Sequence, residues 1–245
     1  MKKAVISMSG GLDSTCLALK LLGEGYEVRA YAFAYGQKHS IELLKLQENV
    51  KYLQEELRQP ITLQIISLLD VFSDSNSSLH GTGENGEIPK ADYDKESMKS
   101  TVVENRNVIF SSIIYGKALS WANKSGDDVV ISLGIHGGDH AIYPDCTPES
   151  QQAAEHLFKI SNWGSEKVSY NAPFVTISKD KVLQHGLDAM NEMRFSKEAQ
   201  NKILRNTHSC YDPDENGRSC GVCGTCKERL EAFEKCNMVD PIEYK

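Results

Sequence analysis

The chain has 245 residues, of which 40% are hydrophobic and 25% charged, and its formal net charge at pH 7 is −7. This length suits one α/β domain with a small appendage. The acidic balance argues against a nucleic-acid partner, because proteins that bind the phosphate backbone recruit clustered Lys and Arg. No apolar run approaches the ~18 residues of a membrane span, and the N-terminus leads directly into a strand pattern instead of a signal sequence. We therefore expect a cytoplasmic protein with a small-molecule partner and no membrane partner.

Short apolar runs alternate with helical patterns along the chain. This alternation is typical of βαβ units and predicts a doubly wound parallel sheet, with ligands at the carboxyl ends of the strands. The predicted strands are residues 3–8, 27–34, 62–67 and 128–133, and the predicted helices are residues 14–23, 40–58, 106–122 and 178–192.

The first strand and helix are joined by a candidate phosphate loop, Ser9-Gly10-Gly11-Leu12-Asp13-Ser14. Two glycines let backbone N–H groups converge, the helix N-terminus adds the positive end of its dipole, and two serines add hydroxyls. The alternative is a tight turn in which Asp13 or Ser14 only caps the helix. The flanking serines and the strand–loop–helix context favour a phosphate site, although no Walker motif is present.

Residues 70–101 interrupt the alternation, because they are rich in Ser, Asn, Gly, Asp and Lys and show no periodicity. A segment of this length inside a compact domain is usually a lid or is disordered. A lid is slightly favoured, since the segment lies between strands whose ends carry the other motifs.

A cysteine cluster lies near the C-terminus, where Cys220, Cys223 and Cys226 follow C-x-x-C-x-x-C spacing downstream of Cys210. Two residues between ligands let thiolates bend around one ion, and four thiolates complete a tetrahedral shell. A structural zinc is favoured over an iron–sulfur cluster and over four independent thiols. Cys16 reads as a core residue.

The phosphate loop resembles the S-G-G-x-D-S loop of the ATP pyrophosphatase (PP-loop) superfamily, whose members cleave ATP to AMP and pyrophosphate while adenylating a substrate oxygen. Four further segments occur in the order of the 7-cyano-7-deazaguanine synthase family of queuosine biosynthesis, so that the resemblance covers roughly residues 4–230. These segments are residues 35–39, residues 106–107, residues 134–146 and residues 209–229.

The resemblance implies a Rossmann-like sheet of the adenine nucleotide alpha hydrolase type over residues 1–205 and a small zinc-binding region over residues 206–245. It assigns catalysis to Ser9, Asp13, Ser14, Arg106 and Lys179. It assigns ATP contacts to the Ser9–Ser14 loop, including Gly10, Gly11 and Leu12, and to Tyr35, Gln37, His39, Arg106 and Asn107. Substrate contacts fall on Asp139, Tyr143, Asp145 and Cys146, and zinc ligation on Cys210, Cys220, Cys223 and Cys226.

The implied reaction converts 7-carboxy-7-deazaguanine and ammonia to the nitrile through an adenylated carboxylate and an adenylated amide. ATP with Mg²⁺ is the implied co-substrate, zinc is structural, free ammonia supplies nitrogen, and the protein is a homodimer.

Three departures from the family pattern place the substrate or the incoming amine in question. Glu104-Asn105 replaces the usual Pro-Gly, Thr147-Pro148 replaces Arg-Asp, and His136 and His140 stand where Cys and Phe are common. The alternatives left open are a sister enzyme that stops at the amide or joins it to another amine, possibly on a protein, and a PP-loop tRNA thiolase. The two remaining alternatives are a zinc-binding interaction module without catalysis and an iron–sulfur protein.

Overall fold

A computed structural model describes residues 1–37, 41–81, 97–135 and 143–245. Its centre is a five-stranded sheet in which every strand runs parallel to its neighbours, in the order β3-β2-β1-β4-β5. The predicted α/β fold with a doubly wound parallel sheet is therefore confirmed. The strand bounds are β1 Lys2–Ser7, β2 Tyr26–Ala34, β3 Ile61–Ser67, β4 Val129–Leu133 and β5 Val168–Asn171.

Helices cover both faces of the sheet, and β2 shows why. Its side chains alternate, so that Val28, Ala30 and Ala32 face one core while Tyr31 and Phe33 face the other. The first core is closed by α1, α2, α5, α6 and α7, and the second mainly by α3. The helix bounds are α1 Leu12–Gly23, α2 Ile41–Lys51, α3 Arg106–Ser125, α4 Pro148–Ser161, α5 Lys179–Glu192, α6 Lys197–Arg205 and α7 Gly224–Lys235.

The predicted elements are all present, with small shifts at their ends. The largest difference concerns residues 40–58, because α2 ends at Lys51 and the chain continues as a π-helical turn over Tyr52–Glu56. The sequence did not predict β5, α4, α6 or α7. Strand β5 has only four residues and two of them are exposed, so it lacks a continuous apolar run.

The flanks of the 70–101 segment pack against the end of β2. His80 is buried, its Nε2 lies 2.9 Å from the carbonyl oxygen of Tyr35, and the Gly81 amide donates to Gly36. Gly36 has φ +86°, and a Cβ there would lie 2.5 Å from His80 Nε2, so only glycine fits. The lid interpretation for residues 82–96 lies outside the described residues.

Residues 206–245 pack on the sheet domain through α7, whose Ala232 and Phe233 join the first core. Arg229 is fully buried and makes a bidentate pair with Asp240 at 2.7 and 2.9 Å, and it also donates to Thr207. This pairing ties α7 to the final residues of the chain. None of the helices in the described part of the chain combines the length and apolarity needed to cross a bilayer.

Candidate functional site

A cavity of about 540 Å³ opens at the carboxyl ends of β1, β2 and β4. In the strand order, β1 lies between β2 and β4, so the chain winds in opposite directions on its two sides. A crevice at this switch point is where open parallel sheets bind ligands. The position follows from topology alone, before any side chain is considered.

The Ser9–Ser14 loop forms one wall of the cavity and is held by its own hydroxyls. Ser14 Oγ accepts a hydrogen bond from the Ser9 amide at 3.2 Å, and Ser9 Oγ accepts one from the Gly11 amide at 3.2 Å. Gly10 has φ +91°, and a Cβ there would lie 2.6 Å from the carbonyl oxygen of Glu42. Gly10 and the buried Leu12 therefore shape the loop from behind, while its other residues face the cavity.

Lys179, the first residue of α5, reaches the loop from the opposite side. Its Nζ donates to Asp13 at 3.0 Å and to Glu228 of α7 at 3.2 Å. Burial alone would lower the pKa of Lys179, but the two carboxylates outweigh burial and raise it, so the side chain stays charged. A fixed cation beside a glycine loop and a helix N-terminus suits a polyphosphate group.

The end of β2 carries a second polar group. Gln37 Oε1 accepts from the Tyr35 amide at 2.9 Å, and Gln37 Nε2 donates to the Phe33 carbonyl oxygen and to Glu42 Oε1, each at 3.2 Å. Gln37 therefore hydrogen-bonds the backbone at the end of β2 and also positions the carboxyl group of Glu42 beside the cavity. Burial raises the pKa of Glu42 to about 7, although Gln37 and Arg106 act in the opposite direction.

Arg106 begins α3 and lies over the ring of Tyr35, with 5.6 Å between the guanidinium carbon and the ring centroid. Its Nη1 donates to the Tyr35 hydroxyl at 3.2 Å. Asn105, which precedes it, has φ +56°, a left-handed conformation that glycine adopts without strain and asparagine tolerates. This backbone explains why a Gly at position 105, as in the family pattern, suits the same turn.

The next residue connects α3 to the turn over Pro144–Cys146. Asn107 Nδ2 donates to Asp145 Oδ2 at 2.6 Å, and the Tyr143 hydroxyl lies 2.9 Å from Thr101 Oγ1. Burial and the adjacent Asp145 raise the pKa of Cys146 to about 12, so this thiol stays protonated. The turn therefore presents a hydrogen-bonding carboxylate and a neutral thiol to the cavity.

Thr147 acts as a helix cap, whereas its position in the family pattern suggests a place on the substrate side. Its Oγ1 accepts from the Ser150 amide at 3.2 Å and so caps α4, and it donates to the Pro144 carbonyl oxygen. Its side chain does not belong to the cavity lining among the described residues. The departure from the family pattern at Thr147 therefore leaves the described cavity lining unaffected.

The four cysteines of the predicted zinc site lie together, and their sulfur atoms are all within 4.8 Å of one another. A tetrahedral zinc with Zn–S bonds of 2.3 Å needs sulfurs about 3.8 Å apart. Backbone amides support the sulfurs, since Cys210 Sγ accepts from Cys220 at 3.1 Å and Cys220 Sγ accepts from Cys223 at 3.3 Å. Four buried sulfurs, two of them with amide donors, fit a bound cation. Cys210 also borders the cavity, and the preceding His208 amide donates to Gly10 at 2.9 Å.

The structure brings most of the predicted site residues to one cavity, and two of them lie outside the described residues, His39 and Asp139. His136 and His140 are outside them as well. The predicted site residues that line the cavity are Ser9, Gly11, Asp13, Ser14, Tyr35, Gln37, Arg106, Asn107, Tyr143, Asp145, Cys146, Lys179 and Cys210.

Sequence reasoning missed two carboxylates of this site. Glu42 lies in the first turn of α2, five residues after Gln37, and an acidic residue so soon after a strand end was an available signal. Glu228 follows Cys226, the last cysteine of the cluster, by two residues and reaches Lys179 from a helix that the sequence did not predict. Because that contact joins distant parts of the chain, no local pattern could have indicated it.

Comparison with known proteins decides the family. A model described as "Queuosine biosynthesis protein QueC" matches residues 3–237. The chain belongs to the QueC family. Similar members are named 7-cyano-7-deazaguanine synthase in Pseudoalteromonas atlantica, 38% identical with 100% of both chains covered, and in Marinomonas sp., 38% identical with 100% of this chain and 99% of that one covered. A third, from Methanoregula boonei, is 37% identical, with 99% of each chain covered.

One solved structure that the chain matches in part is a 4-thiouridine synthetase–RNA complex with bound ATP. It is 13% identical, covers 96% of this chain and 50% of that chain, and has a TM-score of 0.45. The QueC assignment does not depend on it. The QueC relatives are similar over their whole length, which confirms the family resemblance of the motifs, and the chain is an enzyme of queuosine biosynthesis.

Proposed function

We propose that this QueC chain is a 7-cyano-7-deazaguanine synthase, an ATP-dependent carbon–nitrogen ligase that converts 7-carboxy-7-deazaguanine and ammonia to the nitrile. The observation that carries the proposal is one cavity in which a phosphate loop with a fixed cation faces a carboxylate and amide pair, Asp145 and Asn107. The phosphate loop and the fixed cation suit ATP, and the carboxylate and amide pair suits a guanine-like ring.

A carboxylate is a poor acyl donor, because its leaving group would be an oxide ion. Attack of its oxygen on the α-phosphorus of ATP gives an acyl adenylate, from which ammonia displaces AMP to form the amide. A second activation, at the amide oxygen, lets the nitrogen lose its protons while AMP departs, which leaves the nitrile. Two ATP molecules are therefore consumed for each nitrile.

The phosphate side of the cavity would bind the departing pyrophosphate. The amides of the Ser9–Ser14 loop and the ammonium group of Lys179 neutralise developing charge, a type of contribution that is typically worth about a hundredfold or more in rate. Mg²⁺ would enter with ATP and neutralise phosphate charge, and Asp13 is the carboxylate beside the loop that would hold it.

Zinc at the four cysteines would act in folding instead of chemistry, because four thiolates leave no open position for substrate. Cys210 of the cluster directly follows His208 and Ser209 in the chain, and these two residues contact the phosphate loop. A homodimer, free ammonia as nitrogen donor and a cytoplasmic location belong to the same proposal.

A second candidate is the sister activity that stops at the amide or transfers it to another amine, including one on a protein. No contact in the described residues favours it, and the full-length relatives carry the synthase name. Mass spectrometry of products from ATP, ammonia and 7-carboxy-7-deazaguanine separates the two. The proposal predicts the nitrile as the main product, whereas accumulation of amide or a conjugate would support the sister activity.

A further inference from the structure

Glu42 is a half-buried residue whose carboxyl group the reaction steps above do not use. It lies in the first turn of α2, and its side chain lines the cavity beside Tyr35 and Arg106. Its backbone carbonyl oxygen packs so closely on Gly10 that no side chain fits there. The backbone of Glu42 is thereby fixed against the phosphate loop, near which the adenylated substrate would form, and Gln37 holds its carboxyl group.

Three carboxyl groups of the described residues line this cavity, and they differ in their partners. Asp13 is ion-paired with Lys179 at 3.0 Å. Asp145 accepts a short hydrogen bond of 2.6 Å from Asn107. Glu42 accepts one longer hydrogen bond, of 3.2 Å, from the neutral amide of Gln37, which is the single hydrogen bond recorded for its carboxyl group within the described residues. Of the three, Glu42 is therefore the least neutralised and the best placed to accept a proton.

We propose that Glu42 is the base that takes the N–H proton in the step from adenylated amide to nitrile, an inference that rests on the proposed synthase activity. The O-adenylated amide first loses one of its two N–H protons to solvent, which gives a neutral imidate. In the step that follows, the electron pair of the remaining N–H bond becomes the second π bond between carbon and nitrogen. The carbon–oxygen bond breaks, and its electron pair leaves with the oxygen of AMP. The proton moves to a Glu42 carboxylate oxygen, and no atom is oxidised or reduced.

The environment of Glu42 gives its carboxyl group a pKa suited to proton removal. Burial raises its pKa to about 7, while Gln37 and the guanidinium of Arg106 keep it from rising further. Among the described residues, Tyr35 is the other titratable group that interacts with Glu42. Burial raises the pKa of its phenol, so Tyr35 stays neutral. A base with a pKa near the working pH combines a deprotonated population with sufficient basicity.

The test separates adenylation from proton removal with Glu42→Gln, which keeps the size of the side chain and a carbonyl oxygen. Supplying the 7-carboxamide with ATP isolates the nitrile step and removes the titration of ammonium from the pH profile. Nitrile formation should fall by about a hundredfold or more. Wild-type kcat should rise with pH up to about 7, and this rise should disappear in Glu42→Gln.

Adenylation is followed separately, by exchange of labelled pyrophosphate into ATP with the carboxylate and no ammonia. No proton moves in that step, so Glu42→Gln should lower exchange far less than it lowers nitrile formation, and Glu42→Asp should restore part of the nitrile rate. Glu48→Gln, an exposed change on the same helix, is the matched control. Equal losses in exchange and nitrile formation, or an unchanged pH profile, would overturn the role of Glu42. A wild-type protein that makes no nitrile would instead refute the synthase activity itself.

Discussion

The raised pKa of Glu42 makes a prediction about stability that is independent of catalysis. Its pKa rises from an ordinary 4.5 to about 7 in the folded protein, so folding favours the protonated form. The stabilisation from this group is therefore fully present below pH 4.5 and is lost as the pH rises through 7. Because glutamine does not titrate, the stability of Glu42→Gln should not show this decrease with rising pH.

The size of the effect follows from linkage. A pKa raised from 4.5 to about 7 corresponds to a wild-type loss of roughly 2 to 3 kcal/mol between pH 5 and pH 8, compared with Glu42→Gln. Urea unfolding of wild type, Glu42→Gln and the exposed control Glu48→Gln at both pH values measures it. If Glu42→Gln and wild type lose stability in parallel, within about 0.5 kcal/mol, then the carboxyl group is not held in the environment described here.

Three other substitutions test separate parts of the account. Lys179→Met should lower kcat/KM for ATP by about 10²- to 10³-fold in a pyrophosphate-release assay, and the exposed control Lys181→Met should retain the wild-type value. Cys223→Ser should abolish the binding of about one zinc per chain, seen by elemental analysis, and lower Tm, and zinc loss without a thermal penalty would contradict a structural role. Thr147→Arg should cost about 1 kcal/mol of stability through loss of the α4 cap, while nitrile remains the product. A shift in product distribution would show instead that Thr147 acts on the substrate.

The centre of the sheet was predictable because β1, β2 and β4 are largely buried and so appear as apolar runs. Residues 3–8 and 27–34, for example, were predicted within one residue of the observed bounds of β1 and β2 at each end. Strand β5 was missed because an edge strand of four residues needs fewer apolar side chains. Helix α4 was missed because only Phe158 of its residues is buried, so its sequence carries no clear apolar stripe.

Much of the site could be located in advance, since the ends of parallel strands meet at one edge of a sheet. The phosphate loop after β1 and the residues after β2 and β4 converge for that reason. The carboxylate partners could not be predicted in the same way. Lys179 meets Glu228 only because α7 packs against α5, and Glu42 becomes a candidate base only because the fold buries it.

The most direct test of the account follows both oxygen atoms of the carboxylate. With 7-carboxy-7-deazaguanine labelled by ¹⁸O at both carboxylate oxygens, each adenylation transfers one label to AMP. Mass spectrometry should then find two AMP molecules for each nitrile, each carrying one ¹⁸O, and no label in pyrophosphate. Unlabelled AMP, one AMP for each product, or label in pyrophosphate would contradict two successive adenylations in this cavity.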